Sequence, residues 1–296
     1  MKYKFALKAG FTALALVAAG SASAGLFYLD VGTNFGGVTT DKVNSTSTAM
    51  KNQFTYQYQS STVITDLTGN GISVGDTTLT TAGLAIPGAT IGNNAITNFT
   101  PQETGFPAAN SNNGYGGTNW LLSFGISNLN GVVTGIGTGP EIAYSAGAVL
   151  SMYLYNAANP TGLNFMNIDI TGGASGTGGT LLYGLADFTG LTNTSMSNLI
   201  HSGTYTCDGS SGFFDIWSNC NTPPVAINFI GDFNTNVAIS QFGFVGVNGQ
   251  NQPTFGVSTN HDGSATFDIP EPGSLALLGL GLAGLGMAQR RRKQVK

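Results

Sequence analysis

Phe54, Tyr56 and Tyr58 occupy alternate positions of the stretch QFTYQYQ, with Gln53, Gln57 and Gln59 facing away from them. A period of two puts successive side chains on opposite sides of a pleated chain, so this stretch is a half-buried strand. Val225, Ile227 and Phe229 repeat the pattern, and residues 241–247 alternate in the same way. Residues 26–31, 120–126, 165–170, 181–188 and 265–269 are further strand candidates, rich in β-branched and aromatic residues. Residues 148–155 are apolar on both sides, as in a central strand covered on each face. Asn70-Gly71, Asn113-Gly114, Asn130-Gly131, Asp208-Gly209, Asn248-Gly249 and Asp262-Gly263 offer positive φ at low cost and read as turns. No long amphipathic helix is visible. The pattern predicts an all-β body, an antiparallel β-sandwich of jelly-roll type, with long loops at 82–118 and 172–179.

Charge divides the chain into a body and two ends. Between residues 25 and 268 the only basic side chains are Lys42 and Lys51, against thirteen carboxylates, so the body carries a formal charge of −11. Such a surface repels phosphate backbones, and no nucleic-acid partner is expected. The other basic residues cluster at the termini: Lys2, Lys4 and Lys8 at one end, Arg290, Arg291, Arg292, Lys293 and Lys296 at the other.

Residues 1–24 read as a secretory signal peptide. Three lysines precede an uncharged run, and Ala22 and Ala24 supply small residues at −3 and −1 of a cleavage site before Gly25. At the other end, Pro270, Glu271 and Pro272 form an extended, strand-breaking peptide. Residues 273–288 are uncharged and rich in Leu and Gly. As a helix they extend about 24 Å, a short single transmembrane span. The cluster Arg290, Arg291, Arg292 and Lys293 then acts as a stop-transfer end that stays cytoplasmic.

Motif, apolar span and basic end, in that order, resemble the PEP-CTERM sorting signal of Gram-negative bacteria that make extracellular polysaccharide. Ile269 stands where Val usually precedes the motif. The resemblance covers about the last 27 residues. It implies a membrane processing enzyme, an exosortase, as partner, and transient inner-membrane anchoring before release to the envelope surface or extracellular matrix. The expected organisation is a signal peptide (1–24), a secreted β domain (25–268) and a sorting signal (269–296).

Cys207 and Cys220 are the only cysteines, and in an oxidising compartment they are expected to pair. Asp66, Thr68 and Asn70 alternate, Gly71 follows and Asp76 closes the stretch, similar to a calcium loop. The likeness is incomplete: Thr68 replaces an acid or amide, and the closing acid is Asp76 at position 11 rather than Glu at 12. A tight turn at Asn70-Gly71 is the other reading, so calcium is the one cofactor left open. His201 and His261, with Asp187, Asp215 or Asp262, have no G-x-S-x-G elbow beside them, and no catalytic residue is assigned. Trp120 and Trp217 serve either as a sugar platform or as core.

These readings favour a non-enzymatic surface or matrix protein, associated with exopolysaccharide, biofilm or floc formation. A secreted carbohydrate-binding module is the alternative, and a secreted hydrolase ranks third.

Overall fold

The computed structural model describes residues 25–30, 43–44, 46–101, 120–156, 159–176, 179–191, 198–220, 226–233 and 237–269. The sorting motif Pro270–Glu271–Pro272, the apolar span, the basic cluster and the cleavage residues Ala22 and Ala24 lie outside them, as does Asn113-Gly114.

Among the described residues thirteen strands run in chain order: β1 (Phe27–Leu29), β2 (Gln53–Thr65), β3 (Thr77–Gly83), β4 (Ala95–Thr100), β5 (Trp120–Ile136), β6 (Pro140–Tyr144), β7 (Val149–Asn156), β8 (Asn159–Gly176), β9 (Gly179–Asp187), β10 (Ile200–Ser202), β11 (Asn228–Phe233), β12 (Gly243–Val247) and β13 (Pro253–Asp268). Among the described residues one α-helix, α1 (Phe213–Asn219), lies between β10 and β11.

The sheet closes on itself. β2 pairs β3, β3 pairs β5, β5 pairs β7, β7 pairs β8, β8 pairs β9, β9 pairs β11 and β11 pairs β13, all antiparallel. β13 then returns to β2 over twelve residue pairs, from Thr254↔Thr65 to Ala265↔Phe54. β6 bridges β5 and β8 beside β7, β4 lengthens the sheet along β2, and β12 lies along β13. The all-β expectation holds, but the two-sheet jelly-roll sandwich does not emerge. The strands form one continuous barrel-like sheet, because the long β2 and β13 are hydrogen-bonded directly and leave no gap between layers.

Alternation fixes inside and outside. Phe54, Tyr56, Tyr58 and Ile64 of β2 point into the barrel, while the glutamines face out. Tyr56 meets Phe124 and Phe233 at centroid distances of 4.9 and 5.0 Å, and its hydroxyl reaches the Asp232 carbonyl at 3.1 Å. A second aromatic group forms around Phe267, which contacts Phe27, Phe54, Phe213 and Phe229. Through it the small β1–β10 sheet and α1 dock on the barrel.

The two ends of the body meet. The Gly25 amide donates to the Phe267 carbonyl at 2.8 Å, so the first residue after the predicted cleavage site lies against the last strand. Asp268 is still paired with Asn228, and Ile269 is buried.

Two other expectations change. Residues 82–118 contain β4, and of residues 172–179 the described 172–176 and 179 belong to the ends of β8 and β9. Residues 148–155 are covered on one side only, since Leu150, Met152 and Leu154 are buried while Ser151, Tyr153 and Tyr155 are half-exposed outside.

Candidate functional site

The stretch from Asp66 to Asp76 folds into a loop organised by its own carboxylates. Asp66 Oδ1 accepts from the amides of Thr68 (3.0 Å) and Gly69 (2.7 Å), and Oδ2 accepts from Gly71 (2.7 Å). Asp76 Oδ1 accepts from the Leu67 amide at 2.9 Å, and Oδ2 from the Ser73 amide at 2.6 Å. Gly69 and Gly71 take φ of 76° and 90°, which these amide directions require. Every carboxylate oxygen is thus occupied by protein donors. Among the described residues no group of three or more His, Cys, Asp or Glu gathers as a metal site. Asp66, Thr68, Asn70 and Asp76 do not fit a calcium ion, which needs six to eight converging free oxygens. The hydrogen-bonded turn of this loop is at residues 73–76, where the Asp76 amide donates to the Ser73 carbonyl at 3.2 Å, and not at Asn70-Gly71, which lies in the bend wrapped around Asp66.

Burial alone would raise the Asp66 pKa, but hydrogen bonds from Gly71, Gly69 and Thr68 outweigh it and hold the carboxyl below its ordinary value. A depressed pKa favours the folded chain above the unfolded value of about 4, and that contribution fades as pH falls through the native pKa. Asp66→Asn is therefore expected to lower the melting temperature at neutral pH, with the gap to the parent closing in strong acid. Added calcium should move neither melting curve, and a calcium-dependent rise in the parent would overturn the assignment.

Cys207 and Cys220 are joined, with Cα atoms 6.1 Å apart. Asp208-Gly209 makes the expected turn, at φ of 50° and 83°, and Cys207 and Ser210 bridge across it. Trp217 packs against Phe188 at 5.7 Å and is half-buried, as a core residue would be. Of Trp120, only the backbone of β5 is described.

The two histidines lie apart. His261 is in the middle of β13, opposite Tyr58, with Nε2 against the hydroxyls of Thr259 and Ser60. His201 sits in β10, stacked on Tyr28 at 4.8 Å, with Nδ1 3.1 Å from Ser211 Oγ. Burial pushes its pKa down, against the pull of Asp30 and Asp215. Ser211 also meets Tyr28 Oη at 2.9 Å, while Asp215 is engaged by Ser210. The cluster ties β1, β10 and the disulfide segment together, and no feature of the sequence pointed to Ser211.

The outward face of β7, β8 and β9 was also missed. Cross-strand register places Tyr153 opposite Asn164, and Ser151, Asn167 and Asp187 in one row. Asp169 lies opposite Leu185, which lies opposite Asn228. Asn167 Oδ1 accepts from Asn164 Nδ2 at 2.8 Å and from Ser151 Oγ at 2.9 Å. Asp169 has its pKa raised, by partial burial and then by the neighbouring charge of Asp187. Tyr183 stands 46 % exposed beside them.

Among the described residues no helix is long and apolar enough to cross a membrane. No curated protein and no solved structure matches the chain. Residues 268–293 match the PEP-CTERM protein-sorting motif, beginning on the last residue of β13. The chain therefore carries a PEP-CTERM sorting motif, the mark of an exported protein anchored at a membrane until an exosortase, itself a membrane enzyme, processes it.

Proposed function

We propose that the chain is a non-enzymatic surface or extracellular-matrix protein, released by exosortase processing and associated with exopolysaccharide in a biofilm or floc. The observation that carries this reading is the direct junction between sorting motif and barrel. The motif match starts at Asp268, which is still hydrogen-bonded in the sheet, and Gly25 lies against the same strand. A leader ending at Ala24 and a tail starting at Ile269 leave the body at one place. One side of the barrel thus faces the membrane and the rest is free to face outward. The closed sheet and the Cys207–Cys220 bond suit a body that must persist outside the cell.

In this reading residues 1–24 are removed, 25–268 are the released barrel, and 269–296 are the sorting signal, with residues 273–288 crossing the inner membrane. Mass spectrometry of the mature protein from its host tests all three parts. The expected species begins at Gly25 and ends near Pro270, and is recovered from the envelope surface or matrix. A species that keeps Lys296 and stays in the inner membrane would replace this reading with that of a simple anchored protein.

A further inference from the structure

We propose that the outward face of β7, β8 and β9 binds a neutral polysaccharide chain. The proposal rests on the surface or matrix reading above and names the contact by which the body would hold its surroundings. A pyranose ring offers an apolar face of C–H groups and an edge of hydroxyls. Its binding sites combine exposed aromatic rings with fixed amides and carboxylates.

This face supplies both. Tyr153 and Tyr155 alternate on β7, about 7 Å apart along the strand. Tyr183 lies on β9, two strands across and, because it faces Gly172 where Tyr153 faces Asn164, about 20 Å further along the strand direction, so a bound chain would run along β8 from one aromatic end to the other. Gly162, at φ 87°, lets Tyr155 lie against the backbone of β8: a Cβ there would sit 2.5 Å from Tyr155 Cζ. Between the tyrosines runs the polar row of β8. Asn167 is fixed by Ser151 and Asn164, and Asn164 Oδ1 is a buried acceptor with no hydrogen-bond partner. Asp169 and Asp187 add acceptors suited to hydroxyl donors.

Charge selects the class of chain. The body is strongly acidic, and Lys51, the only lysine among the described residues, is buried with Nζ donating to the Pro101 carbonyl at 2.7 Å. An anionic polysaccharide meets no exposed lysine or arginine on the described surface and is repelled by Asp169 and Asp187. A cationic one would be held by the net charge of the whole body, without need of this face. The tyrosine–amide arrangement matches a neutral chain.

Affinity electrophoresis of the full chain in mild detergent tests this. The gels contain hydroxyethylcellulose, glucomannan or the neutral exopolysaccharide fraction of the host, with alginate and chitosan for comparison. Retardation is expected in at least one neutral gel and not in alginate. Tyr183→Ala and Asn167→Ala should each weaken it about tenfold, or roughly 1.4 kcal/mol. Leu79→Ser, on the outward side of β3, should leave it unchanged, with circular dichroism confirming that each variant is folded. The proposal fails if no neutral gel retards the parent, if both variants match the parent, or if only chitosan binds and salt abolishes it. Because the readout uses purified chain, it does not depend on processing. A correctly trimmed protein that ignores neutral glycans would sink this proposal and leave the sorting reading standing.

Discussion

Phe267→Ala is expected to destabilise the body by about 3–5 kcal/mol. Phe267 is 1 % exposed and lies where three parts of the molecule meet. Its ring packs edge-on against Phe27 of β1 at 5.7 Å and Phe213 of α1 at 5.2 Å, and tilted against Phe54 of β2 and Phe229 of β11. Truncation removes the transfer energy of a whole ring and leaves a cavity walled by four other rings. Those rings belong to different elements and cannot all close the gap without moving the sheet. The melting temperature should fall by on the order of ten degrees. Urea unfolding of parent and variant gives the free-energy difference directly. Leu79→Ala, at a residue 43 % exposed, is the comparison and should change stability by no more than about 0.5 kcal/mol. Equal effects at the two positions would show that the aromatic group around Phe267 is not the centre of the fold.

Period-two alternation was enough to orient β2, because Phe54, Tyr56 and Tyr58 announce their side, and the strand carries it on to the inward Ser60 and Thr62, which do not. It does not name the partner strand, so nothing in it distinguished two facing sheets from one sheet closed by β2 and β13. Glycine misled in an instructive way. Asp262-Gly263 and Asn130-Gly131 read as turns, yet both lie inside strands, opposite Tyr56 and Tyr144. Gly263 is needed because a Cβ would meet the Asp232 carbonyl oxygen at 2.4 Å and the Tyr56 ring at 2.6 Å. Gly131 has the Ile142 side chain at 2.6 Å. These glycines permit close approach of neighbouring strands, whereas Gly209 does serve a turn at positive φ. Local sequence cannot tell the two uses apart.

The candidate sites divide on the same line. The sorting motif was legible because it is linear: a processing enzyme reads consecutive residues, so their order is the signal. The tyrosine–amide face is assembled from three strands whose register depends on bulges between Met152 and Tyr153 and between Ile170 and Gly172. No single stretch contains it. Likewise, the Asp66 and Asp76 pattern was visible, but not that its oxygens turn inward to the loop's own amides.

The second large effect is expected at the disulfide. Cys207→Ser with Cys220→Ser removes a cross-link spanning 13 residues, which in the chain-entropy model stabilises by about 3 kcal/mol. The loss should fall unevenly. The cross-linked segment holds α1, whose Phe213 packs on Phe267 and whose Phe214 and Trp217 pack on Phe188 at 5.7 Å. The barrel itself is closed by twelve β2–β13 pairs that the bond does not touch. Hydrogen exchange should therefore quicken in residues 198–220 while β2 and β13 stay protected. The two perturbations should also be coupled. Where α1 is already loosened, Phe267 has lost one of its four aromatic neighbours, so Phe267→Ala should cost less than in the parent, by about 1 kcal/mol. Strict additivity, or exchange that quickens evenly around the barrel, would mean that the cross-linked segment and the sheet do not share the aromatic contact through which they are joined.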